Sequence, residues 1–146
     1  MIKIGIDVGS TTAKLVAVDE NDNLLFSKYE RHNAKAKETI LSFLKELLSE
    51  IGDKDISVRI TGSIGMGISE KCSLPFVQEV VAAAKAIQKD YSHVTSMIDI
   101  GGEDAKVVFF KDAEATDLRM NGNCAGGTGA FIDQMAIILG VNIDEL

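Results

Sequence analysis

A chain of 146 residues, 46% hydrophobic and 25% charged, is long enough to bury a core and has the composition of a globular protein. Its net charge of −7 and the lack of a basic run argue against nucleic acid as a partner, and no apolar run approaches the roughly 20 residues that span a membrane. Two cysteines cannot build a secreted disulfide framework, and the amino terminus has neither the basic nor the apolar part of a secretion signal, so a cytoplasmic setting is expected.

The first element is legible at once. Ile2, Ile4, Ile6 and Val8 alternate as one face of a strand, and Asp7 stands beside the small-residue turn Gly9-Ser10-Thr11-Thr12. Glycine permits a tight turn there, and the following hydroxyls and backbone N–H groups surround a spot that suits a phosphate. Asp7 would repel a bare phosphate, so its presence makes sense with a Mg²⁺ between them. Taken alone, the same residues also suit an ordinary hairpin turn.

Leu15–Val18 continues the second strand, Asp19–Asn23 turns, and Leu24–Tyr29 reads as a third strand, which predicts an antiparallel meander. Lys35–Ile51 has helical periodicity, with Ile40, Phe43, Leu44, Leu47, Leu48 and Ile51 on one stripe and Gly52 as its stop. Since a helix has carried the chain across, Ile56–Thr61 is expected to return parallel to the first strand. Gly62-Ser63-Ile64-Gly65-Met66-Gly67 lacks the Gly-Lys-Ser/Thr ending of a P-loop and reads as a structural turn. Cys72 reads as a small buried hydrophobe, His32 and His93 as surface residues, and Glu79–Tyr91 as an alanine-rich helix opened by a dipole-compatible glutamate.

From about Val94 the opening design returns. Met97-Ile98-Asp99-Ile100-Gly101-Gly102-Glu103-Asp104-Ala105-Lys106 repeats strand, aspartate, glycine-rich turn and lysine, and Lys106–Phe110 and Ala115–Met120 read as later strands. A boundary near Ser92 is expected, giving a first lobe over 1–92 and an incomplete second lobe over 93–146. Two such hairpins suit a metal-bound polyphosphate gripped from two sides. At these residues the chain resembles the ASKHA superfamily of actin, sugar kinases and heat-shock ATPases. The resemblance implies an α/β fold, an actin-like (ribonuclease H-like) lobe with a mixed sheet and flanking helices, followed by the start of a similar lobe. It implies phosphate contacts from Gly9, Ser10, Thr11, Thr12 and Lys14 in the first hairpin and from Gly101, Gly102 and Asp104 in the second.

The run Asn121-Gly122-Asn123-Cys124-Ala125-Gly126-Gly127-Thr128-Gly129-Ala130-Phe131 is the most distinctive in the chain. Cys124 stands ahead of an expected helix whose Phe131, Met135, Ile138 and Leu139 form one stripe, and the glycines allow close approach of backbone to a cluster or a phosphate. With the two hairpins, this run resembles the ATP-dependent activators of 2-hydroxyacyl-CoA dehydratases and the ATPase subunits of benzoyl-CoA reductases. That resemblance implies ATP/ADP and Mg²⁺ as ligands, with Asp7, Asp99 and Glu103 as catalytic residues and Asp7 near the metal. Gly126, Gly127 and Thr128 are implied to lie at a cofactor. Cys124 is implied to ligate a 4Fe-4S cluster shared across a homodimer, the second cysteine of each subunit falling outside this chain.

The implied partners are a dehydratase-type electron acceptor and a low-potential reductant such as ferredoxin or flavodoxin. Two features depart from the family: Glu103 stands where glutamine is usual, and Val80-Val81-Ala82-Ala83 replaces a Ser-Cys-His-Ala run. The second departure is similar to long multidomain members, and the sequence reads as an N-terminal fragment. A sugar kinase, or an actin-like module without catalysis, remains an alternative on the hairpins alone, although neither requires Cys124.

Overall fold

The computed structural model describes residues 1–111, 114–121 and 124–146, the side chain of Ala125 aside. Its contacts divide the chain into two units, Met1–Glu79 and Val80–Leu146.

In the first unit the alternating apolar residues form strands β1 (Ile2–Val8), β2 (Thr12–Val18) and β3 (Leu24–Arg31), paired antiparallel in sequence order. Helix α1 (Ala36–Ile51) then carries the chain back to β4 (Ile56–Thr61), which pairs parallel with β1. The sheet order is β3-β2-β1-β4, so β1 is flanked on both sides and its residues Ile2, Ile4, Ile6 and Val8 are buried. Phe43 and Leu47 of α1, each 1% exposed, cover the same face. Leu48, expected on that stripe, is 60% exposed, because the 3.6-residue period carries it to the edge of the contact.

The glycine run after β4 is a structural turn whose second half is helical. Ile64 donates its N–H to the Val8 carbonyl at 3.0 Å, and helix α2 spans Gly65–Cys72. Gly62 has φ +96°, and a Cβ there would lie 2.3 Å from the Val8 oxygen. Only glycine fits against the end of β1. Cys72, expected to be buried, is exposed: it is the last residue of α2, past the Gly65 and Ser69 turns that meet the core.

The second unit holds α3 (Glu79–Asp90, but for its first residue), β5 (Ser96–Ile100), β6 (Ala105–Lys111), β7 (Glu114–Asn121) and α4 (Gly129–Leu139). Contacts thus group α3 with the second sheet, ahead of the Ser92 expected from sequence. The antiparallel order β5-β6-β7 reproduces that of β1-β2-β3. Its core is small, with Ala84, Val108 and Phe110 buried.

The burial of α4 departs from the expected stripe. Ala136 is buried and Ile132 and Met135 are half-buried, whereas Phe131, Ile138 and Leu139 are exposed. Of its eleven residues only Asp133 and Gln134 are polar, so apolar periodicity could not select a face. Gly122 and Asn123 of the cysteine run lie outside the described residues.

Gly62→Ala is expected to destabilise the first unit by more than about 2 kcal/mol, since it adds both an unfavourable φ and a backbone clash. A urea melt showing less than about 0.5 kcal/mol would contradict that packing.

Candidate functional site

Each unit carries one hairpin turn of the same construction, and each is described by itself. In the first, Gly9 closes the turn by donating its N–H to the Thr12 carbonyl at 3.0 Å. The Gly9 amide is therefore engaged within the turn, and Ser10 and Thr11 stand at its tip. Asp7, two residues ahead of the glycine, pairs in register with Lys14 across β2, and Lys14 Nζ lies 2.9 Å from its carboxylate. Both side chains are partly open to solvent, at 46% for Lys14 and 30% for Asp7. An ion pair so exposed is weak and readily exchanged for another partner. Lys14 also sits 5.6 Å from the centre of the Tyr29 ring, which limits where its ammonium can swing.

The second turn repeats this residue for residue. Gly101 donates its N–H to the Asp104 carbonyl at 2.9 Å, Asp99 stands two residues ahead of it, and Asp99 pairs in register with Lys106. The difference lies in burial. Lys106 is 8% exposed in its side chain and its Nζ lies 2.9 Å from Asp104 and 3.9 Å from Asp99. Asp104 occupies the position that Thr12 holds in the first turn, so the second turn carries its own counter-charge. A Cβ at Gly101 would come within 2.7 Å of the Asp104 carboxylate, which would have to shift to make room. Glu103 is exposed at the tip and Gly102 is half-buried.

Cys124 is exposed, and the Gly126 N–H donates to its sulfur at 3.4 Å. A 3₁₀ turn over Ala125–Gly127 separates it from α4, so the local amide that reaches the sulfur belongs to that turn. Gly126 and Gly127 leave little room: a Cβ would lie 3.3 Å from Cys124 Sγ at the first and 3.3 Å from Asn121 Nδ2 at the second. Thr128 is fully buried as the N-cap residue of α4. Next to it, Gly129 donates its N–H to the Gly101 carbonyl at 2.8 Å, and a Cβ on Gly129 would sit 3.0 Å from that oxygen. The helix that follows the cysteine is therefore fastened to the second turn by its first residue.

Three residues at these turns owe their setting to tertiary contacts. Lys106, legible in the sequence only as part of the repeat, is buried beside carboxylates through strand register. Thr61 pairs in register with Asp7 from β4 and has a buried hydroxyl without a hydrogen-bond partner. His32, expected on the surface because its neighbours are polar, is 4% exposed and its Nε2 lies 3.0 Å from the Gly9 carbonyl. Asp19 is held below the ordinary carboxylate range by hydrogen bonds from the Asn23 side chain and backbone, and Lys28 above the ordinary ammonium range chiefly by its hydrogen bond to Glu46. Among the described residues no three His, Cys, Asp or Glu side chains converge as a preformed metal site, and no helix is long and apolar enough to cross a membrane.

Paired strand–turn–strand units with an aspartate before each glycine, one of them built into a mixed sheet backed by a helix, define the chain as an actin-like ATPase fold. It belongs to the BadF/BadG/BcrA/BcrD ATPase family, whose model matches residues 4–146. It is 28% identical to the (R)-2-hydroxyglutaryl-CoA dehydratase activating ATPase of Acidaminococcus fermentans, over 98% of this chain and 55% of that protein. It is 31% identical to the 2-hydroxyisocaproyl-CoA dehydratase activator of Clostridioides difficile, over 100% of this chain and 55% of the relative. The solved structure of the C. difficile activator with bound ADPNP matches with a TM-score of 0.85, covering 99% of this chain and 55% of that one. The chain thus spans about half the length of the curated relatives it matches.

The unequal burial of the two lysines sets unequal costs for breaking their pairs. Asp104→Ala removes the nearest anion from a buried ammonium and is expected to cost about 1–3 kcal/mol, while Lys14→Ala costs less than about 1 kcal/mol. Denaturant melts of the two variants side by side measure the difference, and equal losses would contradict it.

Proposed function

We propose that this chain carries the ATP-binding turns of an iron–sulfur-dependent electron donor that hydrolyses ATP and activates a 2-hydroxyacyl-CoA dehydratase-type enzyme. The observation that carries the reading is the matched pair of turns, each with an aspartate and a lysine in the same register around the same closing hydrogen bond, in a chain of this ATPase family.

Phosphoryl chemistry of this kind depends on positioning and charge, and the residues supply both. Ser10, Thr11 and Thr12 offer hydroxyl and amide donors to phosphate oxygens, and Gly102 adds a backbone donor in the second turn. Lys14 is exposed enough to leave Asp7 and meet an incoming anion. Asp7 in the first turn and Asp99 in the second are each a carboxylate suited to hold Mg²⁺, chiefly through its water shell. A bound Mg²⁺ would neutralise phosphate charge. Glu103, exposed beside the glycines, would orient the attacking water as a base.

Cys124 fits a role as iron ligand: it is accessible, and an N–H on its sulfur favours the thiolate that iron requires. A cluster held there would supply the low-potential electron to the acceptor, and a ferredoxin- or flavodoxin-type protein would replace it. One such cysteine per subunit would give a homodimer two of the four ligands that a 4Fe-4S cluster takes. The Gly129–Gly101 bond would transmit a change at the second turn to the helix beside Cys124.

Two measurements test the reading. Asp7→Asn is expected to cut ATP hydrolysis at least 100-fold while leaving the melting temperature within a few degrees of wild type; full activity would remove Asp7 from the site. Anaerobically purified full-length protein is expected to carry about two irons and two acid-labile sulfides per subunit of a dimer, lost in Cys124→Ala. An iron-free protein that still binds ATP would refute the electron-donor role.

A further inference from the structure

We propose that His32 is a positioning residue for the first phosphate turn, acting through the Gly9 carbonyl. The proposal rests on the ATPase reading for its consequence and on the geometry of the turn for its substance. His32 follows directly on β3 and is 4% exposed, an unusual setting for a histidine flanked by Arg31 and Asn33. It meets the turn twice. Its backbone N–H donates to the Thr11 carbonyl at 3.1 Å, and its ring Nε2 lies 3.0 Å from the Gly9 carbonyl.

A carbonyl oxygen only accepts, so Nε2 carries the proton and donates it. Nδ1 is buried and unpartnered. An N–H at that nitrogen would be an unsatisfied buried donor, whereas a bare ring nitrogen is the less costly of the two. The ring is thereby confined to one tautomer with its single donor aimed at Gly9.

The consequence for a ligand comes from peptide geometry. In a trans peptide the carbonyl oxygen of Gly9 and the N–H of Ser10 point in opposite directions across one rigid plane. Tying the oxygen to His32 turns the Ser10 N–H away from β3 and leaves it for an anion. It also removes the partial negative charge of that oxygen from the set of groups a phosphate would meet. The second turn has no such histidine; there the buried Lys106, paired with Asp104, and the Gly129 N–H on the Gly101 carbonyl brace the equivalent residues. In both turns the carbonyl of the closing glycine is engaged by a group from outside the hairpin, which is the feature the two share beyond sequence.

The test compares His32→Leu, which fills the space without a donor, with His32→Gln, whose side-chain amide nitrogen can take the place of Nε2. Amide order parameters of Ser10 and Thr11 and the dissociation constant for Mg·ATP are measured in the full chain. His32→Leu is expected to lower the order parameters from the rigid range near 0.85 toward 0.6 and to weaken Mg·ATP about tenfold. His32→Gln is expected to stay within about threefold of wild type and to keep the tip ordered. Unchanged order and affinity in His32→Leu, or equal damage in both variants, overturns the proposal. A wild-type protein that takes no Mg·ATP would instead defeat the ATPase reading, and the contrast in order between the two variants would then decide the proposal alone.

Discussion

The contact on which the first unit depends is the approach of Gly62 to the end of β1. β1 is the central strand, held antiparallel by β2 and parallel by β4, and its last residue, Val8, leads straight into the phosphate turn. Ile64 bonds the Val8 carbonyl and Gly62 lies so close that no side chain is tolerated. The end of β1 is thus clamped before the turn begins. A turn that must present amides in a fixed direction needs such a base, because a loop free at its root would lose the gain from preorganised donors.

Duplication with a shift in electrostatics is the second theme. Both hairpins place aspartate and lysine in the same register around the same closing bond, yet Lys14 is open to water whereas Lys106 is buried and meets an extra aspartate. An exposed pair gives up its partners at little cost, so the first turn is the better suited to accept a metal and a phosphate. A buried lysine held by Asp104 is costly to disturb, so the second turn is suited to remain rigid. Rigidity is useful there, since the helix that follows Cys124 starts from a hydrogen bond to that same turn.

The cysteine loop itself is shaped by the absence of side chains. At Gly126 and Gly127 even a methyl group would press on the sulfur or on Asn121, and at Gly129 it would press on the Gly101 carbonyl. Small residues in this run therefore serve approach, of loop to sulfur and of helix to turn, as well as conformational freedom.

Much of this was readable from residue order alone. Alternating isoleucines ending in Asp7 and Gly9 specify a strand and turn wherever they fold, and a repeat of the pattern at Asp99 and Gly101 specifies a second, because strand period and turn chemistry are local properties. The parallel return of β4 followed from the helix that precedes it. The sequence did not reveal that His32 is buried, since polar neighbours say nothing about which side chain a sheet edge folds over. Nor did it reveal that Cys72 is exposed, that α2 is a helix despite its glycines, or which face of the apolar α4 is covered. Those outcomes depend on partners distant in the chain: Val8 for the glycine run, Gly9 for His32, Gly101 for the start of α4. Local pattern determined the turns and their charged residues; only the tertiary structure decided what braces them, because bracing is made by contacts that no local periodicity encodes.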